Sequence, residues 1–78
     1  MDIRHHNYWI QIGLNILHYR KEQRLTQEQL ADMCGEKGIS RNYIQKIETA
    51  AASCSLDKLI DIAEALKIPL HKLFEFRD

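Results

Sequence analysis

The sequence contains few of the residues that interrupt helices. Its 78 residues include one proline, Pro69, and three glycines, Gly13, Gly35 and Gly38. It also lacks any alternation of apolar and polar residues long enough to indicate a β-strand. We therefore predict an all-α protein, and its length suits one domain with one core.

Cysteine is scarce, and long apolar runs are missing. Cys34 and Cys54 form no CxxC pair, so neither a disulfide framework nor a zinc ribbon is indicated, and we expect free thiols. No apolar run approaches the roughly 20 residues of a membrane span, and the N-terminus lacks the pattern of a signal peptide. We expect a cytoplasmic protein with no membrane partner.

The chain has no net charge, because 11 basic residues balance 11 acidic ones. This is unusual for a nucleic-acid-binding protein, since Lys and Arg side chains that neutralise phosphates supply much of the affinity for DNA. The distribution of charge is uneven, however. The segment from Lys37 to Lys46 contains Lys37, Arg41 and Lys46 and no acidic residue. A neutral protein with one basic surface is therefore expected.

Apolar periodicity predicts five helices. In the longer segments apolar residues recur at steps of three and four, which is the spacing of one helical face. Residues 1–7 are expected to form a flexible N-terminus, and residues 8–78 a single domain. The predicted helices run from about Tyr8 to Gln23, from Gln27 to the turn at Gly35, from Ser40 to Thr49, from Leu56 to Leu66, and from Pro69 through Phe74.

Several predicted helices begin at residues that favour helix starts. Thr26 followed by Gln29 matches a capping box, in which the hydroxyl accepts from a backbone N–H and the amide reaches back to the cap. Ser40 and Ser55 are caps of a preferred type. Pro69 fits the first turn of the last helix, where its missing backbone donor costs nothing.

Three segments, taken in order, resemble the Cro/repressor-type helix-turn-helix family. They read IGLNILHYRKEQRLTQEQLA, ISRNYIQKIE and SLDKLIDIAEALKIPLHKLF. The resemblance extends from about Trp9 to Phe76 and implies a five-helix, lambda-repressor-like DNA-binding domain. It also implies that the helix beginning at Gln27 crosses the DNA backbone while the helix beginning at Ser40 enters the major groove. The function expected from it is sequence-specific transcriptional regulation on double-stranded DNA.

The helix that follows Ser40 has an outer face rich in long hydrogen-bonding side chains. Guanine presents acceptors that a guanidinium or ammonium group can satisfy, and adenine presents a donor and an acceptor that an amide can match. We therefore predict base contacts by Arg41, Asn42 and Lys46. Tyr43 and Gln45 could reach a base edge or a phosphate. The alternative is an ordinary solvated helix face.

Phosphate contacts are predicted at the start of the second helix and around the turn. Gln27 resembles the family's glutamine at this position, where backbone donors and the side-chain amide together hold a phosphate. Its alternative role is only to favour the helix start. Lys37 and Ser40 complete the predicted phosphate or mixed contacts, although Ser40 is more safely assigned as a cap.

The resemblance further implies a structural ion pair between Arg20 and Glu48. A guanidinium can meet a carboxylate through two parallel hydrogen bonds, and a buried pair of this kind is costly to break. The alternative is two unconnected surface charges.

Two features depart from the family pattern. The turn CGEKGIS is longer than usual by about three residues, so the second helix gains a turn or the connection bulges. The loop after Glu48 lacks the usual glycine, basic residues and proline. Weak phosphate contacts from that loop, together with zero net charge, predict modest nonspecific affinity or dependence on dimerisation.

A homodimer is expected, because two domains related by a two-fold axis can read two half-sites. The last helix carries more apolar surface than one side of a short helix can bury. The predicted interface residues are Leu70, Leu73, Phe74 and Phe76.

Catalysis is not expected, and neither is a cofactor, a metal or a small-molecule ligand. The four histidines are scattered, and neither cysteine has the context of a nucleophile. The alternative function is a repressor-fold module that binds another protein, as an antirepressor or antitoxin does. Small proteins of this family include phage repressors and the controllers of restriction-modification systems, and the length fits both.

Overall fold

The structure is a computed structural model that describes residues 2–35 and 38–76. Within these ranges all regular secondary structure is helical, in agreement with the predicted class. Four α-helices are present rather than the five predicted. They are α1 (His6–Glu22), α2 (Gln27–Met33), α3 (Arg41–Glu48) and α4 (Leu56–Ala65), with short 3₁₀ helices at Ile3–His5 and Leu70–Phe74.

The prediction of a fifth α-helix was wrong, because this segment forms the 3₁₀ helix Leu70–Phe74. Pro69 precedes it with extended backbone, at φ −62° and ψ 145°. The amide of Asn15 in α1 donates to the carbonyl oxygens of Leu73 and Glu75, at 2.9 and 2.6 Å. Since a side chain of α1 binds these two carbonyls, the chain leaves the short helix in extended conformation and stays against α1.

The first helix begins slightly earlier than expected. Its predicted start was near Tyr8, whereas α1 begins at His6 and follows the 3₁₀ turn Ile3–His5. The carboxylate of Asp2 caps this turn by accepting from the backbone N–H of Arg4 at 2.8 Å. The turn buries no residue, so apolar periodicity carried no sign of it.

The predicted helix caps are present. Thr26 Oγ1 accepts from the backbone N–H of Gln29 at 3.0 Å, and Gln29 Oε1 accepts from the backbone N–H of Thr26 at 2.8 Å. The hydroxyls of Ser40 and Ser55 each accept from the backbone N–H three residues further on. Each cap satisfies a donor that the helix leaves unpaired, which is worth about 1 kcal/mol.

The core draws fully buried side chains from all four α-helices and the C-terminal 3₁₀ helix. Complete burial of one such side chain contributes about 1.5–3 kcal/mol. Asn15 is buried among them and uses its amide to hold the C-terminal segment. The large apolar side chains that are fully buried are Ile16, Leu30, Ile44, Ile47, Ile62, Leu66 and Leu73.

The connection between α2 and α3 accommodates the extra residues that the sequence indicated. α2 gains no turn, because it ends at Met33. Gly35 and Gly38 adopt left-handed backbone, with φ of 72° and 73°, as expected for a turn of this kind. Ile39 then returns to the core with 6% exposure. Leu30 of α2 and Ile44 of α3 are fully buried, so both helices pack against the core.

Candidate nucleic-acid interface

α3 lies directly against α1, because Gly13 has no side chain. A Cβ atom on Gly13 would lie 2.5 Å from the carbonyl oxygen of Ile47 and 2.8 Å from that of Glu48. These distances are too short for any real carbon, so only glycine permits this approach. The contact sets the orientation of α3 relative to the rest of the fold.

α3 has a buried face and an exposed face. Ile44 and Ile47 are fully buried. The opposite face bears exposed polar side chains in two adjacent rows, each spaced by four residues. The structure thus brings the three predicted base-contact residues together with Gln45 on one outward surface, which consists of Arg41, Asn42, Gln45 and Lys46.

Gln27 and the start of α3 border the same concave surface. This surface is lined by Gln27, Ser40, Arg41, Asn42 and Gln45. Five of the predicted DNA-contact residues therefore meet around one groove, with Lys46 further along α3. Lys37, which was also predicted to contact DNA, lies outside the described residues.

A buried ion pair joins α1 to α3, as the resemblance implied. Arg20 Nε and Nη2 donate to the two carboxylate oxygens of Glu48 at 2.6 and 3.0 Å. The two side chains are 7% and 3% exposed. Arg20 Nη1 also donates to the carbonyl oxygen of Leu25, and Gln27 Nε2 donates to Glu48 Oε1 at 3.0 Å. Glu48 consequently links the end of α3 to α1 and to the start of α2.

Tyr43 points to the α4 side of α3 rather than to its outward face. Lys58 Nζ lies 4.6 Å from the centroid of the Tyr43 ring and 3.4 Å from the carbonyl oxygen of Gly38. Burial and a hydrogen bond with the Cys54 thiol raise the pKa of Tyr43, and burial raises the pKa of Cys54 to about 11. Both groups are therefore protonated at neutral pH. We call the set of Gly38, Tyr43, Cys54 and Lys58 the Tyr43 cluster.

Sequence reasoning missed two cations beside the predicted interface. Gln27 and Arg41 also border a second concave surface, whose lining includes the exposed residues Lys21 and Arg24. The available signal was the run RKEQR at residues 20–24, which holds three cations and ends two residues before Thr26, the first residue of the capping box.

The residues predicted for a dimer interface are not all on the surface. Phe74 and Phe76 are 42% and 52% exposed, and Leu70 is partly buried. Leu73 has no exposure and belongs to the core of the single chain, so its assignment to an interface is corrected. Tyr8 extends the apolar surface, because its ring centroid lies 5.5 Å from that of Phe76.

The described part of the chain contains no group of three or more His, Cys, Asp or Glu side chains arranged to hold a metal ion. None of the helices in residues 2–35 and 38–76 is both long and apolar enough to cross a membrane.

Comparison with known proteins identifies the family. The helix-turn-helix family profile matches residues 16–73. Control protein C.SmaI of Serratia marcescens is 37% identical over 59 residues, which is 76% of this chain and 67% of that protein. The crystal structure of the restriction-modification controller protein C.AhdI of Aeromonas hydrophila superposes with a TM-score of 0.82 at 28% identity, covering 95% of this chain and all of C.AhdI.

The matched segment contains the end of α1, all of α2, α3 and α4, and most of the C-terminal 3₁₀ helix, and it includes both Arg20 and Glu48. The two similar proteins are a control protein and a restriction-modification controller protein. The chain therefore belongs to the Cro/repressor-type helix-turn-helix family of DNA-binding transcription regulators.

Proposed function

We propose that this protein regulates transcription by placing α3 in the major groove of its operator. The observation that carries the proposal is that α3 has one buried apolar face and one exposed polar face. Ile44 and Ile47 fix the helix to the core, while Arg41, Asn42 and Lys46 extend from the exposed face. A helix held in this way presents its polar side chains in a fixed order and at a fixed spacing.

The three side chains match the chemistry of base edges. Arg41 and Lys46 can donate to O6 and N7 of guanine, and Asn42 can pair with N6 and N7 of adenine. Each good pair discriminates against a wrong base by about 1–3 kcal/mol. Three such contacts on one helix supply enough discrimination for a specific half-site.

Phosphate contacts from the borders of the groove would fix the register of α3. The bond from Gln27 to Glu48 uses one amide N–H and leaves the second for a phosphate oxygen. The Ser40 hydroxyl accepts from the backbone of α3, so its own hydrogen remains available to a phosphate. Gln45 lies in the same groove and can reach either a base or the backbone.

We propose that the protein acts as a homodimer on a two-fold-symmetric operator. Tyr8 and Phe76 are exposed with their ring centroids 5.5 Å apart, and Phe74 is exposed two residues before Phe76, so these rings belong to α1 and the C-terminal segment rather than to α3. Pairing through this surface would leave both recognition helices available. Half-sites about 34 Å apart, one turn of the duplex, are expected for such a dimer.

The regulated genes are inferred from the two similar proteins. C.SmaI is a control protein, and C.AhdI is a restriction-modification controller. We propose that this chain controls the genes of a restriction-modification system. Selection of binding sites from random duplexes, followed by a genome search, tests this idea. Sites upstream of restriction or methyltransferase genes support it, and sites confined to prophage promoters contradict it.

A direct binding experiment separates DNA recognition from the alternative of a protein-binding module, which zero net charge favours. Fluorescence anisotropy is measured with a labelled random-sequence duplex of about 30 base pairs at about 50 and 200 mM KCl. DNA binding must weaken steeply with salt, because each phosphate contact displaces counterions. Absence of binding even at the lower salt concentration would favour the protein-binding alternative.

A further inference from the structure

The second concave surface at the start of α2 carries an excess of positive charge. Three exposed cations line it: Lys21 in the last turn of α1, Arg24 in the turn between α1 and α2, and Arg41 at the start of α3. Among the described lining residues, Glu28 is the one exposed acid. Arg20 also lines the surface, but its charge is compensated by Glu48. The exposed charge on this surface is therefore +3 − 1 = +2.

This basic surface is continuous with the groove beside the recognition helix. Gln27 and Arg41 line both concave surfaces, so any ligand that follows one of them meets the other. An extended polyanion suits this arrangement better than a single small anion, because the cations are spread along a connected path. The backbone of a duplex whose major groove holds α3 is such a polyanion.

The local backbone holds Arg24 at the edge of this surface. Its N–H donates to the carbonyl oxygen of Lys21 at 3.0 Å, and the N–H of Leu25 donates to that of Arg20 at 3.0 Å. Arg24 itself has left-handed backbone, with φ of 58°. Lys67 occupies the corresponding position after α4, with φ of 59°, but does not line the surface.

We infer that Lys21 and Arg24 bind the phosphodiester backbone of the operator, on the strand bordering the groove that α3 enters. The inference rests on the proposed function. A guanidinium and an ammonium group both donate to phosphate oxygens without reading the base sequence. Their contribution must therefore be equal on operator and unrelated duplexes and must decline with salt.

The test compares Arg24→Gly with Lys67→Gly as its matched control. Each substitution removes one cation from an exposed left-handed position, a conformation that glycine adopts without strain. Binding of the labelled 30-base-pair random duplex is measured by anisotropy at about 50 and 200 mM KCl. Thermal unfolding of each variant confirms that it is folded.

One lost phosphate contact changes the slope of log K against log salt by about 0.9 per protomer. The fourfold rise in salt should therefore weaken wild-type binding about 3.5-fold more, per protomer, than it weakens binding of Arg24→Gly. Lys21→Gln removes a cation from an exposed helical position and should reduce the salt slope by the same amount as Arg24→Gly. Arg24→Lys, which keeps the charge, and Lys67→Gly should both retain the wild-type slope.

The phosphate contacts of Lys21 and Arg24 and the proposed DNA-binding function are refuted by different results. If the wild-type protein binds duplex but Arg24→Gly and Lys21→Gln keep its salt slope, the phosphate contact is refuted and the proposed function stands. An equal loss of slope in Lys67→Gly would also refute it, because the effect would then follow total charge. Failure of the wild-type protein to bind any duplex would overturn both.

Discussion

At the scale of single residues, α3 is held against α1 by two different contacts. Gly13 allows the backbones to touch, and Arg20 pairs with Glu48 in the interior. The pair could be predicted from the resemblance, because it joins two charged residues at family positions. The role of Gly13 could not be, since a glycine within a helix gives no sign of which backbone crosses it.

Gly13→Ala is predicted to destabilise the protein by about 3 kcal/mol, because the added carbon meets backbone atoms that cannot move aside. Helix propensity alone would produce a gain of about 1 kcal/mol. Urea unfolding followed by circular dichroism therefore distinguishes the backbone clash from the propensity effect, because the first lowers the free energy of unfolding and the second raises it. Gly35→Ala is the control, because a Cβ there has nothing within 4 Å. It should cost only about 1 kcal/mol, for the left-handed backbone.

Removal of one partner from the ion pair should cost more than removal of both. Glu48→Ala leaves the Arg20 charge buried without compensation and is expected to lose about 3–5 kcal/mol of unfolding free energy. The double variant Arg20→Met/Glu48→Met replaces the pair by apolar side chains and should be the more stable of the two. Chemical denaturation of both proteins measures this order, and the reverse order would show that the pair itself supplies the stability.

At the scale of elements, the Tyr43 cluster connects α4 with α3 and the turn before it. Lys58 lies over the Tyr43 ring and donates to the carbonyl oxygen of Gly38. Lys58 thus steadies the first turn of α3, where Arg41 and Asn42 are located.

Lys58→Met should cost about 1 kcal/mol through loss of the contact with the ring. For a domain of this size that loss lowers the melting temperature by about 4–8 °C. Lys58→Arg should restore most of the loss, because a guanidinium also stacks on an aromatic ring. Thermal unfolding with Lys67→Met as a surface control provides the measurement. A melting temperature equal to that of the control would contradict the role assigned to Lys58.

The starts of the helices could be predicted where a capping residue in the local sequence marks them. Thr26 and Ser40 mark the starts of α2 and α3, because a cap acts within three residues of itself. The final 3₁₀ helix was misassigned because its form depends on Asn15, a distant residue that binds the carbonyls of Leu73 and Glu75. No local pattern contains that information.

At the scale of the whole molecule, a chain with no net charge carries a locally positive surface beside α3. Lys21, Arg24, Arg41 and Lys46 are exposed on or near α3 with Glu28 as the exposed acid among them, and other acidic residues such as Glu64 are exposed on α4. The outward face of α3 could be predicted from its own sequence. The position of Lys21 and Arg24 beside Arg41 could not, because it depends on how the end of α1 packs against the start of α3.

Dimerisation is predicted to depend on the apolar surface at the two ends of the described chain. Phe76→Asp should shift the protein towards monomer in sedimentation equilibrium while its helicity stays unchanged, because Phe76 is 52% exposed in the single chain. Operator affinity should fall with the dimer fraction. Glu64→Ala, an exposed substitution on α4, serves as the control. An unchanged mass for Phe76→Asp would place the interface elsewhere.

The measurement that tests the central claim most directly is the specificity of Asn42→Ala. A selected operator and a random duplex are compared by competition anisotropy, with Lys67→Ala as control. If Asn42 reads a base, the ratio of the two affinities should fall at least about fivefold, the equivalent of about 1 kcal/mol, while random-duplex affinity stays near wild type. An unchanged ratio, with Arg41→Ala and Lys46→Ala equally without effect, would show that this face of α3 does not read DNA.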